Sequence, residues 1–144
     1  MVKPNDNMSE SYIKMADESL KIIKKVENES KLWASSSAYY TIYYCLYSLM
    51  IKSGIKCEIH SCSIEFMKMF LTDFYNEEDV DLIETAFRLR NDLQYYPDRL
   101  VSKDELEFVK KGAIDFLVKT KEILSKINER EIDHIRDSLN KEIR

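Results

Sequence analysis

The stretch that decides the fold is Leu32-Trp33-Ala34-Ser35-Ser36-Ser37-Ala38-Tyr39-Tyr40-Thr41-Ile42-Tyr43-Tyr44-Cys45-Leu46-Tyr47-Ser48-Leu49-Met50-Ile51. It carries no charge, in a chain of which 33% is charged. As an α-helix it would be about 30 Å long, enough to cross a membrane or the centre of a small domain. Its many hydroxyl groups would each need a partner inside a bilayer. We therefore predict a central, largely buried helix and no membrane contact.

The composition indicates an all-helical protein. The 144 residues fit one domain and include only two glycines and two prolines, which leaves few residues for the turns of a sheet. The net charge of -4 argues against a protein that coats nucleic acid by bulk charge, but it is compatible with a local basic patch. No basic segment followed by an apolar run opens the chain, so we expect a cytoplasmic protein with reduced cysteines.

The apolar spacing and the capping residues predict a single helical domain over residues 9–128. Its helices are expected at about 9–29, 32–51, 60–75, 76–95 and 102–128. Residues 1–8 are expected to be flexible. Residues 129–144 are a charged tail whose thin apolar stripe could form a short helix or a contact with a partner.

Both glycines have a predicted structural role. Gly54 follows the central helix, where it suits the left-handed position just after a helix end. Gly112 lies inside the last long helix, where it costs about 1 kcal/mol relative to alanine. We therefore expect a close approach of another helix at Gly112.

The loop after the central helix contains Cys57-x-x-His60-x-Cys62. These soft ligands could bind zinc, but a closed site needs a fourth ligand, and the sequence has no second cysteine pair or histidine cluster. The favoured interpretation is that His60 begins the next helix and that both cysteines are small packing residues. We predict no metal site and no cofactor.

The densest polar cluster on an otherwise apolar helix is Arg88-Leu89-Arg90-Asn91-Asp92. Arg88 lies on the solvent side of the helical wheel, where Asp92 offers a surface ion pair. Arg90 falls between apolar side chains and points at packed surface, where an isolated charge is not tolerated. Two explanations of Arg90 stay open at this point, a structural pairing and a functional anion site.

Several short motifs, in their order and spacing, resemble the HEPN superfamily. They are Ser37-Ala38-Tyr39-Tyr40, Ile42-Tyr43-Tyr44, Gly54-Ile55, His60-Ser61, Phe70 and Leu89-Arg90-x-x-x-x-Tyr95. The similarity covers most of the chain and is closest to small stand-alone members with an Ala-Tyr-Tyr-x-x-Phe-His helix. It implies an up-and-down antiparallel bundle of four to five helices, commonly dimeric. It also implies RNA binding or cleavage, or a nucleotidyltransferase partner in a toxin-antitoxin or defence system.

The resemblance assigns the family's Arg-x(4-6)-His motif to Arg90 and Tyr95. In active members the arginine stabilises charge on a phosphorane and the histidine moves protons. Tyrosine, with an ordinary pKa near 10, is a poor general base, so the motif by itself does not predict ribonuclease activity. Pro97 also stands where the family's toxins carry a tyrosine that is adenylylated by their partner.

The leading hypothesis is a homodimer that binds RNA or nucleotide at a cleft near Arg90 and Tyr95. The residues predicted to line the cleft are Arg88, Asn91, Tyr96, Tyr40 and Tyr44. In a regular helix Arg90 and Tyr95 would be about 140° apart. They could therefore converge only if the chain unwinds before Pro97 or if two copies of the helix meet in a dimer. The competing hypothesis is a non-catalytic helical module that holds a protein partner.

Overall fold

The computed structural model describes residues 1–143, which form six helices and no strand. The helices are α1 (Asp6–Val26), α2 (Lys31–Lys52), α3 (His60–Phe70), α4 (Glu77–Tyr95), α5 (Lys103–Lys126) and α6 (Glu129–Ile143). The predicted all-α class is confirmed. The bundle has one helix more than the four to five expected, because the charged tail forms α6.

The uncharged run forms α2, and α2 is the centre of the bundle. It packs against α1, α3, α4 and α5. Its small-residue face is fully buried, which lets the neighbouring helices approach closely; the face consists of Ala34, Ala38, Ile42, Cys45 and Leu49. In residues 1–143 we find no helix with the length and apolar content that a membrane span requires.

Ion pairs between α1 and α5 show how these long helices run. Lys121 lies 2.9 Å from Asp17, and Lys110 lies 3.0 Å from Glu27. Residues late in α5 therefore meet residues in the middle of α1, and residues early in α5 meet the end of α1. The two helices are antiparallel, as in an up-and-down bundle.

Helices α4 and α5 are also antiparallel and approach closely at Gly112. Asp79, at the start of α4, pairs with Lys119 in the second half of α5. A Cβ atom at Gly112 would collide with the side chain of Leu82. The close approach predicted from this glycine is confirmed.

Helix α1 begins at Asp6, three residues before the predicted start at residue 9. The side chain of Asn5 caps it by accepting a hydrogen bond from the backbone N–H of Met8 at 3.0 Å. The hydroxyl of Ser9 lies 2.9 Å from the hydroxyl of Ser48 on α2, and both serines are buried. The predicted start was wrong because the Ser9 side chain bonds to α2 and not to its own backbone.

Helix α3 is shorter than predicted and ends at Phe70, not Tyr75. The following residues form a turn in which the N–H of Tyr75 donates to the carbonyl of Leu71 at 2.9 Å. The Tyr75 ring stacks on Phe116 at 4.8 Å, and its hydroxyl lies 2.8 Å from that of Thr120. These buried contacts with α5 hold Tyr75 in a turn, and the apolar spacing could not distinguish this from a further helical turn.

Helix α6 packs over the end of α2. Its Ile135 is buried, and Nη1 of Arg136 donates to the carbonyls of Val2, Ser53 and Gly54 at 2.8, 3.1 and 3.2 Å. Gly54 has a φ of 76°, which confirms its predicted left-handed conformation. One guanidinium thus joins the N-terminal segment, the end of α2 and the last helix.

The expectation that all three cysteines are reduced is not met in the structure. Cys57 and Cys62 are paired as a disulfide, with Cα atoms 6.6 Å apart, on either side of His60. Cys45 is a free, buried thiol, and burial raises its pKa.

Candidate functional site

Arg90 is partly buried between α2 and α4 without a carboxylate partner among residues 1–143. Its Nη1 donates to the hydroxyl of Tyr40 at 2.9 Å, and its Nη2 donates to Oδ1 of Asn91 at 2.9 Å. Its Nε is buried and has no hydrogen-bond partner. Since a buried cation is normally paired, this guanidinium keeps an unused capacity for an anion.

Three aromatic rings hold the Arg90 side chain in place. Its Cζ lies 5.1 Å from the ring centre of Tyr39, 5.6 Å from that of Tyr40 and 5.8 Å from that of Phe87. Cation–π contacts of this kind stabilise a guanidinium by about 0.5–2 kcal/mol without neutralising its charge. The positive charge is therefore positioned by neutral groups and stays available to a ligand.

His60, the first residue of α3, lies in the same place. Its Nδ1 is 2.5 Å from the hydroxyl of Tyr39, and its ring stacks on Tyr43 with centres 4.0 Å apart. Burial of the ring, and to a smaller extent the charge of Arg90, lowers the pKa of His60 below its usual value of 6.5. The imidazole is thus neutral near pH 7 and can accept a proton.

The same three rings surround both the arginine and the histidine. The His60 ring centre lies 5.5 Å from that of Tyr39, 6.2 Å from Tyr40 and 6.4 Å from Phe87. We name this set the Arg–His cluster; it consists of Arg90, His60, Tyr39, Tyr40 and Phe87. It unites a fixed positive charge, a neutral imidazole and two phenols, and these groups can bind an anion and exchange a proton.

Burial keeps the Tyr39 hydroxyl protonated. Desolvation raises the pKa of this phenol far above its ordinary value, and the charge of Arg90 offsets only part of the effect. The neutral phenol fixes the orientation of the His60 ring through Nδ1. When Nδ1–H donates to the phenol oxygen, the other ring nitrogen, Nε2, keeps the lone pair that can accept a proton.

Two of the tyrosines predicted to bind a ligand belong to this region. Tyr40 is a member of the Arg–His cluster, and Tyr44 stacks on it with ring centres 5.6 Å apart. Both are half-buried. Of the tyrosines of α2 that were predicted to line a cleft near Arg90, Tyr40 contacts Arg90 directly through its hydroxyl.

The other predicted residues are not part of the cluster. Arg88 is half-exposed and forms ion pairs with Asp92, at 3.6 Å, and with Glu105. Tyr95 and Tyr96 are 63% and 47% exposed at the end of α4. Helix α4 is regular as far as Tyr95, so the chain does not unwind to bring Tyr95 to Arg90 within one protomer.

His60 was quoted among the resembling motifs but was not predicted as a site residue. It lies on a different helix from Arg90, and a search for a histidine four to six residues after the arginine cannot find it. The sequence did contain a signal. His60 is the only histidine in the predicted helical domain, and the same domain has an arginine, Arg90, that is aimed at packed surface.

The HEPN domain family model matches residues 9–136. The chain belongs to the HEPN family. The HEPN protein is also 32% identical over 121 residues to a protein of Methanocaldococcus jannaschii named "Putative toxin MJ0142", and the match covers 80% of each chain. The Arg–His cluster lies wholly inside the matched region.

Within residues 1–143 of this HEPN protein, no group of three or more His, Cys, Asp or Glu side chains is placed to hold a metal ion. A guanidinium without an acidic partner in residues 1–143, next to a neutral imidazole, suits a phosphate group whose negative charge increases during reaction.

Proposed function

We propose that this protein is an RNA-binding HEPN ribonuclease. In it, His60 performs the proton transfer of the histidine that the sequence motif lacks. The observation that carries the proposal is the shared aromatic surround of Arg90 and His60, with Arg90 unpaired by any acid of residues 1–143. A purely structural arginine would be expected to have a carboxylate partner. This one has phenols, an amide and an unpartnered Nε.

The reaction we propose is transesterification within the RNA strand. His60 accepts the proton of a 2′-hydroxyl, whose oxygen attacks the adjacent phosphorus. The bond to the 5′-oxygen breaks, and that oxygen takes a proton from solvent. The products are a 2′,3′-cyclic phosphate and a 5′-hydroxyl end. Arg90 stabilises the extra negative charge on the phosphorane.

Replacing Arg90 with alanine should weaken RNA binding about ten- to a hundredfold, because hydrogen bonds to a charged group contribute about 1.5–3 kcal/mol. The measurement is the affinity for a mixed single-stranded RNA at two salt concentrations. Cleavage is followed in parallel, in the presence of a chelator, through 2′,3′-cyclic ends.

Two further arginine variants sharpen this test. Arg130→Ala removes an exposed arginine from α6 and serves as the charge-matched control. Arg88→Ala tests the predicted role of Arg88 in binding. Equal affinity and equal cleavage for wild type and Arg90→Ala would reject the proposal and leave the non-catalytic module, with Arg90 as a structural residue.

The name of the Methanocaldococcus jannaschii relative supports a toxin-like role. We extend this to a toxin-antitoxin or defence system in the cytoplasm, with a nucleotidyltransferase as the partner. The position two residues after Tyr95 is Pro97, which has no hydroxyl to modify, so a partner of this kind would act by binding or at another tyrosine. Co-purification with the product of a neighbouring nucleotidyltransferase gene tests the association.

We further propose a homodimer formed through the end of α4 and the loop that follows it. This segment exposes three large side chains within six residues, with Tyr95 63%, Tyr96 47% and Leu100 101% exposed. Exposed apolar residues that are close together are typical of an interface. In such a dimer Tyr95 of one protomer could approach the Arg–His cluster of the other, which one protomer does not allow.

Leu100→Asp should convert the dimer to a monomer, because the charge would be placed in the proposed interface. Leu100 has no buried surface in the protomer, so folding should be unaffected. The measurement is the molar mass in solution by light scattering. Val118→Asp, at a residue 63% exposed on α5, is the matched control and should leave the dimer intact. A monomeric wild type, or a dimeric Leu100→Asp variant, contradicts this interface.

A further inference from the structure

A groove beside the Arg–His cluster contains the only tryptophan of the chain. It lies between α1 and α2 and has a volume of about 530 Å³. We name it the Trp33 groove; its lining includes Lys21, Lys25, Trp33, Ser37, Tyr40 and Tyr44. Tyr40 belongs both to this groove and to the Arg–His cluster, so the two sites are adjacent.

Trp33 is placed as a stacking surface. It is 61% exposed, although an indole is among the side chains that gain most from burial. Ile22, 43% exposed, lies in the same groove. An open indole that is not covered by its own protein is the kind of side chain on which single-stranded RNA bases stack.

The polar groups of the groove favour RNA over an apolar protein segment. Lys21 and Lys25 line it, and neither forms an ion pair with an acidic side chain of residues 1–143. Two unpaired ammonium groups next to an aromatic surface suit a phosphate and its base. The single carboxylate of the groove, Glu18, can accept hydrogen bonds from the N–H groups of a base.

We propose that the Trp33 groove binds a nucleotide that flanks the scissile phosphate of single-stranded RNA. Its base stacks on Trp33 and its phosphate lies near Lys21 and Lys25. Tyr40, shared by groove and cluster, sets the path of the strand from this nucleotide to Arg90. This inference rests on the proposed function and adds the class of substrate, a single strand with at least one nucleotide beyond the cut.

Because Trp33 is the only tryptophan, the tryptophan fluorescence of the full-length protein, excited at a wavelength that the nine tyrosines do not absorb, reports on this groove. The probe is a ten-residue oligoadenylate RNA, and the protein carries His60→Ala so that the strand stays intact. Stacking should quench the fluorescence as the RNA saturates the protein. In the same background Trp33→Ala should weaken binding about ten- to a hundredfold, whereas Trp33→Phe should lose roughly threefold.

The charge contribution is tested through salt dependence. Lys21→Ala combined with Lys25→Ala should reduce the slope of log affinity against log salt by about 1.4, since each phosphate contact on a single strand contributes about 0.7. Lys111→Ala combined with Lys141→Ala removes the same charge from exposed positions on α5 and α6 and should leave the slope unchanged. Phe108→Ala, at an aromatic residue 48% exposed on α5, is the control for Trp33→Ala.

The outcomes separate this inference from the proposed function. If RNA binding depends on Arg90 while Trp33→Ala binds normally and no quenching occurs, the groove inference is overturned and the proposed function stands. The groove would then be a surface for a protein partner. If quenching and the Trp33 effect persist but Arg90→Ala binds and cuts like wild type, the groove binds RNA and the proposed ribonuclease site is wrong.

Discussion

Replacing His60 with alanine should lower the rate of RNA cleavage about 10²–10⁴-fold, the usual contribution of a positioned general base. The expectation follows from the structure, since the Nδ1 contact with Tyr39 orients the ring and leaves Nε2 for the substrate. RNA binding should change far less, because Arg90 keeps its hydrogen bonds to Tyr40 and Asn91. The measurement is single-turnover cleavage at saturating protein.

His134, the only other histidine, provides the control. It is exposed on α6, and His134→Ala should cleave RNA at the wild-type rate. Tyr39→Phe tests the positioning of His60, and its loss should be smaller, about tenfold, with the greater part in kcat and not in KM. If the His60→Ala protein cleaves at the wild-type rate, His60 has no role in the mechanism, even if replacing Arg90 lowers binding or cleavage.

The pKa of His60 can be tested in two ways, by the pH profile of cleavage and by an NMR titration. The titration does not need activity. Burial and the charge of Arg90 lower its pKa, so the base form persists below pH 6.5 and cleavage should decline only at a more acidic pH. Arg90→Ala removes the repelling charge and should raise the pKa of His60, measured by NMR titration with His134 as the internal reference. Arg90→Lys should leave it nearly unchanged.

The fold could be predicted largely from sequence, because its signals are local. The uncharged helix, the start of the next-to-last predicted helix at about residue 76 and the left-handed Gly54 depend on signals within a few residues, and each was found where predicted. The errors have a tertiary cause. Ser9 bonds to Ser48 on another helix, and Tyr75 is held by α5, so the local pattern alone placed two helix ends wrongly.

The candidate site could be predicted only in part, for the same physical reason. Arg90 was singled out because its position on the helical wheel conflicts with its charge, and that conflict is visible within one helix. His60 reaches Arg90 only through the packing of α3 and α4 around Tyr39. A sequence motif within a single helix cannot include a contact between residues of two helices.

Gly54→Ala should destabilise the protein by about 3 kcal/mol, although it adds only a methyl group. A non-glycine residue costs about 1–2 kcal/mol in the left-handed conformation that Gly54 adopts, with φ at 76°. The added Cβ would also lie 2.5 Å from the carbonyl oxygen of Val2 and would collide with Arg136. Overpacking of this kind costs about a further 1–3 kcal/mol. The melting temperature should fall by roughly 10 °C.

Gly112→Ala is the matched comparison, since it is the same change at the only other glycine. There the added Cβ meets only the buried side chain of Leu82, at a cost of about 1–3 kcal/mol, and alanine gains about 1 kcal/mol in helix propensity, so the net loss should be about 0–2 kcal/mol. Equal losses at the two glycines would contradict the argument from backbone conformation.

A double-mutant cycle with Arg136→Ala isolates the contact with α6. Arg136 donates to Val2, Ser53 and Gly54 and is also the side chain that the new methyl group would displace. Once Arg136 is removed, the methyl group of Gly54→Ala has one side chain fewer to displace. The two single-variant losses in the free energy of unfolding should therefore sum to more than the loss in the double variant. Strict additivity would mean that α6 does not depend on Gly54 and that the backbone strain alone accounts for the effect.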